Sequence, residues 1–101
     1  MESNPPSNPD ALAAILAERG KRYGKFEDHA RITQHLKAVI NDYRDKRGRL
    51  EFLAPDQQEA LDMIAHKIGR ILSGDPNYHD SWIDICGYAK LVADRLKGTN
   101  V

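Results

Sequence analysis

The chain has 101 residues, the length of one domain. With 41% apolar and 30% charged residues it suits a folded domain and not a wholly disordered one. Fifteen basic residues balance fifteen acidic ones, so general nucleic-acid binding is not expected. The one cysteine, Cys86, excludes an intrachain disulfide and fits a reducing, cytoplasmic compartment. No apolar run reaches the roughly eighteen residues of a membrane span, and the first ten residues carry no secretion signal.

Residues 1–8 are polar, contain Pro5 and Pro6, and read as a flexible tail. A single helical domain is expected over residues 9–98. Asn8-Pro9-Asp10 is a helix start, with asparagine as cap and proline in the first turn. Leu12, Ile15 and Leu16 follow at helical spacing, and Gly20 predicts the stop. A second helix is predicted from Phe26 to Asp28 onward, with Ile32, Leu36, Val39, Ile40 and Tyr43 on an arc of about 100°. The charged segment from Asn41 to Glu51 reads as a solvated loop with a frayed helical end, in which Lys46, Arg47 and Arg49 are interleaved with acids.

Pro55-Asp56 opens a third helix with Leu61, Ile64, Ile68, Ile71 and Leu72 on its apolar stripe. Ser73-Gly74-Asp75-Pro76 ends it. Asn77 with Asp80 resembles a capping box for a fourth helix, which runs to about Lys97. Trp82, Ile85, Ala89, Val92 and Leu96 form its expected core stripe, with Cys86 on the flank as a buried thiol. Strand signals are absent. The fold class is therefore all-α, a compact four-helix bundle. A core this small is often completed by another subunit, so an oligomer is expected.

On the third helix Glu59, Asp62, His66 and Arg70 fall within about 80° of one another, opposite the apolar stripe. On the fourth, Asp80, Asp84, Gly87, Tyr88 and Leu91 form a second stripe. A mid-helix glycine costs about 1 kcal/mol relative to alanine, so Gly87 implies a close neighbour. Two acidic pairs on consecutive helices, Glu59 with Asp62 and Asp80 with Asp84, are one way for a helical bundle to hold Mg²⁺ through oxygen ligands. Lys67 and Arg70 stand beside them as phosphate-holding cations. His29 has two readings, a satisfied histidine at the end of the core or the wall of a pocket above the acids of the third and fourth helices, shared with Tyr23 and Phe26, on which a base could stack. The four histidines lack zinc spacing.

The stretches GKRYGKFEDHAR (20–31) and EALDMIAHKIGRILSGDPNYHDSWIDICGYAKL (59–91) resemble a small phage and prophage domain of unknown function. Tyr23-Gly24, Lys67 to Ile71, Gly74-Asp75-Pro76 and Asp80-x-Trp82-x-Asp84-x-x-Gly87-Tyr88 carry the likeness. That domain is similar to phage nucleotide-modification-associated domains. More remotely, it resembles the all-α nucleotide pyrophosphohydrolases of the MazG type. The remoter resemblance implies a Mg²⁺-dependent hydrolase that releases pyrophosphate from a nucleoside triphosphate. Glu59, Asp62, Asp80 and Asp84 would hold the metal, and Glu59 would orient the attacking water. Lys67 and Arg70 would hold phosphate, while Tyr23, His29 and Tyr88 contact the sugar or base. The family pattern has Glu three residues before the final Asp, where this chain has Asp80 four before Asp84. The alternatives are a non-catalytic protein that sequesters a nucleotide signal, and one that docks on and inhibits a host protein through the Asp80 to Leu91 stripe.

Overall fold

The computed structural model describes residues 8–46 and 53–98. The expected tail, apart from Asn8, and part of the expected charged loop lie outside these residues. Four helices follow in order: α1 (Pro9–Tyr23), α2 (Phe26–Lys46), α3 (Pro55–Ser73) and α4 (His79–Lys97). No strand occurs among the described residues. The chain is an all-α, four-helix bundle. No helix among the described residues is long and apolar enough to cross a membrane.

The starts of α1 and α3 follow local chemistry. The Asn8 side chain accepts from the Asp10 N–H at 2.9 Å, and Pro9 occupies the first turn. The Gln57 side chain reaches back to accept from the Ala54 N–H at 2.8 Å. Three other boundaries differ from those expected. Helix α1 passes through Gly20 and stops at Gly24, which adopts φ +74°. A helix interior tolerates a glycine at modest cost, and Lys21 and Arg22 suit a last turn. Helix α2 continues to Lys46, an ordered end where a solvated loop with a frayed helical end was expected; Arg44 donates to Gln58 of α3 at 3.0 Å and ties this turn down. Helix α4 is capped by Tyr78 without a side-chain hydrogen bond, because Asn77 belongs to the preceding turn and its N–H donates to Asp75 at 2.9 Å.

Packing is organised around α3. Helices α2 and α4 lie against its two sides and do not touch each other, while α1 packs on α2 and α3. Both neighbours run antiparallel to α3. His29 and Arg44 of α2 meet His66 and Gln58, and Asp84 and Arg95 of α4 meet Lys67 and Asp56. Small side chains set the helix spacing. Ala60, Ala65 and Gly69 of α3, Thr33 of α2 and Ser81 of α4 are buried. A Cβ on Gly69 would overlap Thr33 and His29, so this glycine admits α2.

Several expected core residues are open to solvent. Val39 and Tyr43 of α2, Leu72 of α3 and Trp82 and Leu96 of α4 are all exposed. The Trp82 indole donates to the Pro76 carbonyl at 2.8 Å and closes the α3–α4 turn rather than filling a core. Cys86, expected to be buried, is exposed. In each case the apolar stripe is wider than the strip that a single neighbouring helix covers.

Candidate functional site

The α1–α2 corner and the C-terminal end of α3 are built into each other. The Asp75 N–H donates to the Arg22 carbonyl at 2.7 Å. The Ser73 hydroxyl lies 2.7 Å from the carbonyl oxygens of both Tyr23 and Gly69 and donates its one proton between them. A Cβ on Gly24 would overlap the Ser73 backbone, and one on Gly74 would overlap Arg22 and Tyr23. The two turns touch backbone to backbone because both carry glycine.

This joint forms the floor of a groove of about 1090 Å³, lined by α1, the start of α2 and the last turns of α3. Arg19, Lys25 and Arg70 give it cationic walls, with Asp28 as its acid. Arg70 lies over the Tyr23 ring at 4.1 Å from the centroid. Its Nε is buried and has no hydrogen-bond partner among the described residues. Phe26 stands at the mouth, 78% exposed, with its ring edge on His29.

Two histidines line the same groove. His29 is buried, and its Nε2 donates to the His66 carbonyl at 3.1 Å. The rings meet edge-on with centroids 4.4 Å apart. His29 is satisfied, and it lines a groove with Tyr23 and Phe26, but none of Glu59, Asp62, Asp80 and Asp84, above which the pocket was expected, lines that groove. Burial lowers the affinity of both rings for a proton, and the neighbouring cations Arg70 and Lys67 act in the same direction. For His66 the fall is from 6.5 to about 4, with the His29 ring as a further cause.

The linkage has a definite sign. A histidine held below its unfolded value leaves the unfolded chain with more bound protons between the two values. Stability is therefore intact above pH 6.5 and is lost as pH falls from 6.5 toward about 4. The thermal midpoint is expected to fall between pH 7 and pH 5. A His66→Gln variant is expected to fall less, and an equal fall would show that His66 is not the responsible group.

The other expected site residues are placed differently. Glu59 is exposed and lies about 10 Å along α3 from His66, which removes it from the groove. Asp62 accepts from Gln58 at 3.0 Å. Asp80 accepts from the Tyr78 hydroxyl at 3.1 Å. Asp84 pairs with Lys67 at 2.9 Å. Among the described residues no group of three or more His, Cys, Asp or Glu side chains could hold a metal. The four acids therefore do not come together in one cluster among the described residues of a single chain. Lys67, expected to hold phosphate, is buried beneath Asp84 and is not among the groove residues.

Tyr88 lies in a separate, shallow groove of about 530 Å³ on α4 with Ile83, Asp84, Gly87 and Leu91. Gly87 has open space where a Cβ would stand, so among the described residues nothing approaches it. The sequence reading brought Tyr23, His29 and Arg70 to one place. It missed Lys25 and Arg19 as groove walls, and His66 as a partner of His29. The pattern that would have found His66 is its place one turn before Arg70 on the same face of α3.

No curated protein and no solved structure matches the chain. One family does, over residues 9–96, which takes in all four helices, the glycine joint and the groove built on it. By that match the chain belongs to the family described as a domain of unknown function (DUF6378).

Proposed function

We propose that the protein binds a nucleotide-like ligand, a planar ring carrying phosphate, in the groove between the α1–α2 corner and α3. The observation that carries this reading is the conjunction of Arg70, Lys25 and Arg19 with an exposed Phe26 at one groove mouth. Arginine suits phosphate oxygens because its planar fork donates two parallel hydrogen bonds. A solvent-exposed phenylalanine ring offers a face on which a base stacks, worth about 1–3 kcal/mol. His29 and His66 are neutral near pH 7, and a bound phosphate would favour their protonated forms.

The reading is one of binding and sequestration. Mg²⁺ is not part of the proposed site: Asp62, Asp80 and Asp84 each engage a different partner, and Glu59 is exposed outside the groove. No hydrolysis is assigned to Glu59, which lies outside the groove.

Titration calorimetry with the common ribo- and deoxyribonucleoside triphosphates, each with and without Mg²⁺, tests it. Binding is expected without Mg²⁺. Phe26→Ala is expected to weaken it at least fivefold, in line with about 1–3 kcal/mol per stacked base. Phe26 is largely exposed, so its removal leaves the fold intact. Binding that strictly requires Mg²⁺, or that ignores Phe26→Ala, would overturn the reading.

A further inference from the structure

Three apolar stripes are only partly covered, with Val39, Tyr43, Leu61, Leu72, Trp82 and Leu96 exposed and Ile32, Leu36, Ile64 and Ile68 half-buried, and the helix geometry places them on one side of the molecule. On α3, Leu61, Ile64, Ile68 and Leu72 span about 80°, and His66 and Arg70 lie about 160° round the helix from Ile68. Helix α2 meets α3 through His29, Thr33 and Arg44, and its Ile32, Leu36, Val39 and Tyr43 are turned about 85° from that contact. Helix α4 meets α3 through Ser81, Asp84 and Arg95, and its Trp82, Ala89 and Leu96 are turned about 115° away. Because both neighbours run antiparallel to α3, these rotations carry all three stripes to the same face. That face is opposite the groove.

We infer that this face is the dimer interface of the protein, with a second copy of the chain as its occupant. Domains are built from two packed layers around a shared core, and α2, α3 and α4 supply one layer. Among the described residues the buried apolar side chains are Ala60 and Ala65 alone, and no large side chain is fully buried. Val39, Tyr43, Leu61, Leu72, Trp82 and Leu96 are 57, 69, 36, 66, 52 and 62% exposed. Together they leave on the order of 600 Å² of side-chain surface open, against about 800 Å² per partner in a stable interface. A monomer rarely carries a patch of that size uncovered.

The occupant follows from the same facts. These stripes are the chain's own core, so their cover is a condition of folding and must be present whenever the chain is. A second copy meets that condition, in matching number and at the same moment. Zero formal net charge leaves self-association unopposed by overall repulsion. A two-fold axis then pairs the face with itself and leaves one groove open on each outer side.

Light scattering on a sizing column, with thermal melts at two concentrations, tests this. The wild-type chain is expected at twice 11.4 kDa, with a midpoint that falls on tenfold dilution. Val39→Glu and Leu72→Glu, both solvent-exposed within one chain, are expected to run at 11.4 kDa or to lose helical signal at low concentration. Leu91→Glu, on the other side of α4, is expected to remain dimeric. A wild-type monomer with a concentration-independent midpoint would overturn the inference and assign the face to a different protein. A dimer that survives both Val39→Glu and Leu72→Glu, or one that Leu91→Glu dissociates, would also overturn it.

Discussion

Replacing Gly24 with alanine is expected to destabilise the fold by about 4 kcal/mol or more, among the largest losses a single methyl group can produce. Two effects add. Gly24 sits at φ +74°, where an L side chain is strained, and its Cβ would overlap the Ser73 carbonyl, which is backbone and cannot rotate aside. Relief requires the α1–α2 corner to separate from the end of α3, which breaks the Asp75 to Arg22 and Ser73 to Tyr23 hydrogen bonds. Small domains have about 5–15 kcal/mol of total stability, so the variant is expected to be mostly unfolded near its working temperature. Urea melts followed by circular dichroism check this. Gly20→Ala is the control: its Cβ meets nothing and it replaces a mid-helix glycine, so a gain of up to about 1 kcal/mol is expected. Equal behaviour of the two variants would mean that the joint between the two turns is not as described.

The second large effect concerns Lys67 and Asp84, and it is asymmetric. The Lys67 side chain is 10% exposed and that of Asp84 45%, with 2.9 Å between the charged groups. Asp84→Asn leaves a buried ammonium without its counter-charge and is expected to cost about 2 kcal/mol, discounted for the partial exposure of the carboxylate. Lys67→Met removes the buried charge itself and leaves Asp84 in contact with water, so a change within about 1 kcal/mol is expected. Denaturation midpoints of both variants decide the point. The same pair separates a structural Asp84 from a metal-binding one. If Asp84 only holds Lys67, Asp84→Asn lowers the midpoint and leaves nucleotide affinity unchanged. If it holds Mg²⁺, affinity is lost even where the protein remains folded.

These expectations depend on features that differ in how far they could be read from the sequence. The all-α class and the existence of four helices were legible, because apolar spacing and punctuation by Pro9, Pro55 and Gly74 are local signals. The boundaries were less so. Gly20 carries the same residue type as Gly24, but only Gly24 abuts another turn, and that contact decides where α1 ends. Asn77 looked like a cap and serves the turn instead, since Asp75 offers its N–H a nearer acceptor. The frayed end expected after Asn41 is ordered helix to Lys46, tied by Arg44 to Gln58, fourteen residues away in sequence.

The candidate site divides in the same way. Tyr23, His29 and Arg70 could be nominated because aromatic, histidine and arginine residues at one end of two helices suggest an anion site. The acids could be nominated by spacing, yet spacing along one helix says nothing about the neighbour it will face. Asp84 faces Lys67, and the Asp62 carboxylate accepts a hydrogen bond from Gln58, so neither pair became a shared site. The sequence by itself determined helix content, the N-cap of α1 and the width of each apolar stripe, since these rest on contacts within four residues. The tertiary structure alone decided which part of each stripe is covered, that His66 meets His29, and that three stripes come to one open face opposite the groove. Those outcomes depend on the rotation of each helix about its own axis. That rotation is fixed by the small residues at the helix contacts, Gly69 with Thr33 and Ser81 among them, and only packing reveals it.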